Sequence, residues 1–270
     1  MSWARIMVPL AGGASDSAIL QLARLVAEPF GAELAAVHAP ADIADLMPWM
    51  GEGFMGGVQI SAMESLKEAA VEGERTGRAA CDAAGYGKTQ FTSLQSPVWA
   101  GLAMESRLSD VVVFDQQAAC GRGPLSEAFQ QIVADEQRPV IVAREGLNLH
   151  GIMAVAWDGG KEATRAVRTA LPMLQKASRV IIFGAPKAST RQFDLRRLQE
   201  FLAVRGVAAD IEEVQGSNDP GHLLLKAARD VGASMLVAGA FGHARLQEYV
   251  FGGTTRTLLN SDAPSLFLSH

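Results

Sequence analysis

The sequence predicts an α/β protein made of two tandem, doubly wound domains, each a five-stranded parallel sheet covered by helices on both faces. Three observations carry that prediction. Apolar runs of strand length alternate with segments of helical periodicity, the pattern of parallel strands joined by crossover helices. One plan of strand, Gly-Gly pair and amphipathic helix occurs twice, in RIMVPLAGGASDSAILQLARLV near the start and in GIMAVAWDGGKEATRAVRTALPML from Gly151. Each half then closes with a helix, a proline and a short apolar strand, RPVIVA at Arg138 and APSLFL at Ala263.

In chain order, the first half takes strands near 5–9, 33–38, 89–94, 110–114 and 139–143. Its first helix starts within AGGASDS, where Ser15 or Asp16 is the expected cap. A junction near Glu145 to His150 separates a first domain, 1–146, from a second, 150–270. The second half takes strands near 152–156, 179–183, 207–212, 234–238 and 264–268, with helices near 161–175, 191–205, 219–231 and 253–260. The Gly-Gly pairs, Gly12-Gly13 and Gly159-Gly160, lie 147 positions apart, whereas Pro139 and Pro264 lie 125 apart. The first half therefore carries 22 more residues, 147 minus 125. The segment expected to hold them is Pro40 to Gly57, PADIADLMPWMGEGFMGG. With Met47, Trp49, Met50, Phe54 and Met55 among its residues, this segment reads either as a loop over its own domain or as an adaptable partner surface or lid.

Composition narrows the function classes. The 270 residues are 49% hydrophobic and 20% charged, with a formal net charge of −5, which gives no basic footprint for nucleic acid. No apolar run reaches the ~18 residues of a membrane span, and the start of the chain lacks the pattern of a secretory signal, so a cytoplasmic protein is expected. Cys81 and Cys120 lie far apart and outside any CxxC, as in a reducing compartment, and supply no zinc site.

In doubly wound sheets ligands bind beyond the carboxyl ends of the strands, where strand order reverses. The loops after the first and fourth strands of the second half are thus the place to look. The first is AWDGG, with Asp158 at the strand's end, and the second is GAFGHARLQEYVFGGTT, Gly239 to Thr255. Glycines there let backbone approach a phosphate closely, and free N–H groups at the following helix start attract an anion. The same glycines also serve as turn and cap residues in a protein with no ligand.

The ordered set AWDGG, GAFG and FGGTTRTLL, in a five-strand repeat used twice, resembles a tandem universal stress protein of the bacterial kind. The resemblance covers essentially the whole chain. It implies Rossmann-like domains with strand order 3-2-1-4-5 that pair through their last strands, here 139–143 with 264–268 within one chain. It also implies an adenine nucleotide, ATP, ADP or AMP, with or without magnesium, in the second half. Carried over to this sequence, Gly239, Gly242, Gly252 and Thr254 face ribose and phosphates, and Asp158 faces the base. Gly253 stands where the motif has Ser or Thr, so Thr254 must supply the hydroxyl, and His243 lies within reach of a phosphate.

The first half departs from that pattern. Ala11 stands where the second half has Asp158, and Glu127 and Ala128 stand opposite Gly252 and Gly253. A carboxylate at a phosphate position repels the ligand, so the first half is expected to bind no nucleotide. GYGKT at Gly85 ends like a phosphate loop but lies between a helix and a strand, the reverse of the order that motif needs. The five histidines, His38, His150, His222, His243 and His270, are scattered, and no catalytic constellation is visible. Weak ATPase activity at most is expected. The preferred function is a stress-response nucleotide-sensing or protective module with an unidentified protein partner. A nucleotide-free interaction scaffold and a slow nucleotide-hydrolysing enzyme stay open. One chain already contains a pseudo-dimer, and a homodimer through the Met-rich segment is allowed.

Overall fold

In the computed structural model, residues 2–40, 57–94, 98–184, 194–216, 219–240 and 253–270 are described. The Met-rich stretch from Ala41 to Gly56 lies outside them, as do Gly242, His243 and Gly252. The chain runs β1 (Arg5–Leu10), α1 (Asp16–Ala27), β2 (Glu33–His38), α2 (Gly57–Ala84), β3 (Thr89–Ser93), α3 (Val98–Ser106) and β4 (Val111–Phe114). The short α4 (Gln116–Ala119), α5 (Ser126–Ala134) and β5 (Val140–Val142) complete the first half. The second half runs β6 (Ile152–Trp157), α6 (Lys161–Leu174), β7 (Arg179–Gly184), α7 (Leu195–Ala203), β8 (Ala209–Glu213), α8 (Pro220–Asp230), β9 (Ala233–Gly239), α9 (Gly253–Leu259) and β10 (Ser265–Ser269).

The two sheets expected from the repeat are one. Ten strands lie in the order β3-β2-β1-β4-β5-β10-β9-β6-β7-β8. All neighbours are parallel except β5 and β10, which pair antiparallel with Leu266 opposite Val142, Phe267 opposite Ile141 and Leu268 opposite Val140. This pairing joins the halves because each last strand would otherwise present an unpaired row of N–H and C=O groups. The strands at the outer edges, β3 and β8, alternate half-buried and exposed residues, whereas β4, β5 and β10 are buried throughout.

Side chains alternate between the faces, so the sheet carries two apolar layers, and each runs unbroken from one half to the other. One holds Ile6, Val8, Val155, Val237 and Phe267 with residues of α1, α2, α6 and α7. The other holds Met7, Val112, Ala154, Leu236 and Leu266 with residues of α3, α5, α8 and α9. Trp3 stacks on Phe267 across the join, with ring centroids 6.1 Å apart and planes 7° from parallel.

Two local expectations change. Ser15 makes no side-chain cap bond, and the Asp16 carboxylate turns back instead to accept from the N–H groups of Ala11 and Gly12, at 3.0 and 2.9 Å. The extra length of the first half is not only the Pro40 to Gly57 segment. The second crossover helix of the first half, α2, has 28 residues, and its counterpart α7 has 9. Ion pairs Arg75–Glu72 and Arg78–Glu74 run along the exposed side of α2. Its buried stripe is made of small residues, Gly73, Gly77, Ala80, Cys81 and Ala84, and this lets the helix lie close on the sheet and on α1. GYGKT is the turn from α2 into β3, with Gly85 at φ +64°.

Candidate functional site

The carboxyl ends of β6 and β9 lie side by side, with Val155 opposite Val237 in the ladder. Asp158 follows β6 directly and is exposed. One carboxylate oxygen accepts from the Gly160 N–H at 2.8 Å, and Gly159 between them takes φ +73°, a conformation that favours glycine. Gly160 then begins α6 in extended conformation, so the first turn of that helix is aimed from the Asp158 loop. At the end of β9, a Cβ on Gly239 would lie 2.6 Å from the Ala163 nitrogen and 2.8 Å from the Glu162 carbonyl carbon. Close contact with α6 is therefore sufficient reason for glycine at 239. Gly253 and Thr254 open α9, and a Cβ on Gly253 would meet nothing within 4 Å. Among the described site residues, Asp158 and Gly239 come together at one sheet edge, and Gly253 and Thr254 start the helix that leads into β10.

Two residues of this edge carried no signal in the sequence. Glu162, in the first turn of α6, is buried although charged, and its backbone and Cβ lie against Gly239. An acid in a first turn also complements the helix dipole, which by itself accounts for its presence there. Trp157, the last residue of β6, has a buried indole N–H without a hydrogen-bond partner. It lines a cavity of about 390 Å³ between α6 and α7, together with Val167, Leu198 and Phe201. Among the described residues, no group of three or more His, Cys, Asp or Glu side chains could hold a metal ion.

The equivalent edge of the first half is built differently. Asp16 is 147 positions before Ala163, and its buried carboxylate occupies the amides of the β1–α1 loop that a ligand would need. Beside it, His38 ends β2, fully buried, with Nδ1 3.4 Å from Ser93 Oγ. Helix α2 crosses directly over this loop: a Cβ on Gly12 would lie 2.7 Å from the Gly73 Cα and 2.8 Å from His38 Nε2. Burial pushes the Asp16 carboxyl up and the His38 imidazole down from their ordinary values, against the attraction between the two. Glu127 is exposed in the first turn of α5. The first-half edge is thus filled by the protein's own carboxylate, imidazole and helix.

A model described as the universal stress protein family matches residues 151–264, and no curated protein matches the chain by sequence. Among solved structures, a universal stress protein from Archaeoglobus fulgidus DSM 4304 is 15% identical, with 98% of this chain and 95% of that one covered, at a TM-score of 0.68. A functionally unknown protein from Pseudomonas aeruginosa PAO1 is 16% identical, with 99% and 92% covered, at a TM-score of 0.55. Both likenesses extend over the two halves and concern the fold. No described helix is long and apolar enough to cross a membrane. The universal stress protein family is thus what the second half of this chain, residues 151–264, is similar to.

Proposed function

We propose that the chain binds one adenine nucleotide, in its second half, and works as a nucleotide-sensing module of the stress response rather than as a dedicated enzyme. The observation that carries this reading is the asymmetry of the two sheet edges. In the second half the loop after β6 presents an exposed carboxylate, Asp158, and Ala163 stands where the first half has Asp16, so no side chain at that position turns back onto the loop amides. In the first half Asp16 and α2 fill the matching place. Asp158 serves the base end, and Gly239, Gly242, Gly252, Gly253 and Thr254 serve ribose and phosphates, with His243 next to them. Glu162 brings a second carboxylate to this edge, which favours the magnesium form of a di- or triphosphate. The tandem arrangement, two domains at 1–146 and 150–270 each with strand order 3-2-1-4-5, places one competent and one closed copy of the site in a single polypeptide.

Calorimetric titration with ATP and magnesium tests the reading, and a stoichiometry near one per chain is expected. A ligand that binds only the folded state stabilises it by ~2.7 kcal/mol at a hundredfold excess over its Kd. A chain of this size then melts roughly 5 °C higher. Gly242→Val should abolish that rise, because a side chain fills the space through which backbone approaches phosphate. Gly13→Val, at a position where a Cβ meets nothing within 4 Å, should leave it intact. A stoichiometry of two would overturn the single site. No binding at millimolar ATP would put the nucleotide-free scaffold first.

A further inference from the structure

We infer that Arg144, in the first half of the chain, is a positioning residue for the nucleotide site of the second half. The inference rests on the function proposed above.

Arg144 follows β5 and is only 3% exposed. Its guanidinium points into the second half. Nη2 donates to the carbonyl oxygens of Leu258 and Leu259 at 2.9 and 3.1 Å, and Nη1 donates to the carbonyl of Pro264. Nε donates to Gln116 Oε1 at 3.0 Å, and the backbone N–H of Arg144 donates to Ser265 Oγ at 3.0 Å. Leu258 and Leu259 are the last residues of α9, so the cation sits on carbonyls that have no partner within the helix, at the negative end of its dipole.

The first half holds this turn at two further points. Gln116 Nε2 donates to the Ser261 carbonyl at 2.8 Å, and Cys120 Sγ lies 3.2 Å from the Leu259 carbonyl. Among the described residues, Arg144 alone reaches α9, the turn after it and the start of β10 together. No side-chain carboxylate is hydrogen-bonded to Arg144 among the described residues. Burial lowers its pKa to about 10, which leaves it charged at neutral pH.

Helix α9 begins with Gly253 and Thr254, and it has 7 residues, about 10 Å at 1.5 Å per residue. A helix of two turns moves as a rigid piece, so a shift at its last carbonyls is a shift at Thr254. The first half, whose own edge is closed, thereby acts on ligand affinity through Arg144, the charged side chain that holds the last carbonyls of α9. This accounts for a chain that keeps a closed copy of the fold beside the open one.

The test compares Arg144→Met, Arg144→Lys and Trp3→Phe in the full chain. Trp3 also crosses the join, but it touches Phe267 of β10 and not α9. Each variant is titrated with ATP and magnesium, melted, and followed by amide hydrogen exchange. The expected result is a Kd at least tenfold higher for Arg144→Met, an intermediate value for Arg144→Lys, which keeps a cation with fewer donors, and an unchanged Kd for Trp3→Phe despite its lower Tm. Exchange should quicken over 253–259 in Arg144→Met and stay at its original rate over 161–174. If the wild type binds and Arg144→Met binds equally, or if Trp3→Phe weakens binding as much, the inference fails while the proposed function stands. A wild type that binds no nucleotide overturns both.

Discussion

His38 shows how one buried side chain helps to fill the sheet edge of the first half. It is held between Ser93 on β3, Gly73 on α2 and the β1–α1 loop, and the charges that face it are Asp16 from α1 and Glu74 from α2. Desolvation outweighs both carboxylates, so its folded pKa lies below the ordinary value of 6.5. A depressed histidine contributes stability that is fully present above the unfolded pKa and is lost as pH falls through the folded one. Asp16 has the opposite sign: its raised pKa contributes stability below about 3.8 that is lost as pH rises through the folded value. Of the two, His38 is therefore the group whose titration removes stability as pH falls from neutrality. Tm measured from pH 7.5 to 5 should fall for the wild type, and His38→Gln, which keeps a polar group near Ser93 but does not titrate, should show a flatter profile. Equal slopes for the two proteins would remove His38 as the source of the acid sensitivity.

At the scale of elements, α2 shows both what the sequence made legible and what it did not. Buried strands could be read directly, since VVVF at β4 and SLFLS at β10 are covered on both faces and need apolar residues throughout. The edge strand β8, ADIEE, is half-exposed, and its expected position of 207–212 was displaced to 209–213. Asp158 and Gly239 could be placed at strand ends from the sequence because each directly follows or closes an apolar run, whereas Gly242 and Gly252 lie outside the described residues. Asp16 was misread as a cap, because whether its carboxylate points forward to the helix or back to Ala11 depends on loop geometry. Gly73 and Gly77 look like helix breakers in a sequence, yet α2 continues through both. Their value lies in what they face, His38 for Gly73 and the Phe91 ring 2.9 Å from a Cβ on Gly77. Gly73→Leu decides the point by its sign. On an exposed helix the change would stabilise by nearly 1 kcal/mol. Packed against His38 Nε2 at 2.8 Å and Gly12 Cα at 3.3 Å, it should instead destabilise by about 1–3 kcal/mol, read from urea unfolding midpoints.

At the scale of the whole molecule, the halves are bound more closely than two domains on a linker. Inter-domain contacts within a chain are ordinarily polar and permit movement. Here the join is a β-ladder in the middle of a ten-stranded sheet, with an apolar layer continuous across it on each face. The linker itself is tied in, because Leu147 and Leu149 are buried and Ser234 Oγ donates to the Asn148 carbonyl at 2.7 Å. Cutting the chain at Leu147 would leave β5 and β10, buried throughout in the intact chain, as edge strands with no charged residue within them to guard the edge. It would also bare Trp3 on one fragment and Phe267 on the other. Residues 1–146 and 148–270 expressed separately should thus be insoluble or self-associated. Expressed together, they should recombine into a one-to-one complex that melts as a single transition and gives the same ATP titration as the intact chain. Size-exclusion chromatography with light scattering checks the first expectation, and calorimetry on the recombined pair checks the second. Two soluble, monomeric fragments that ignore each other would show that the ladder between β5 and β10 contributes little to the fold, and that each half completes its core alone.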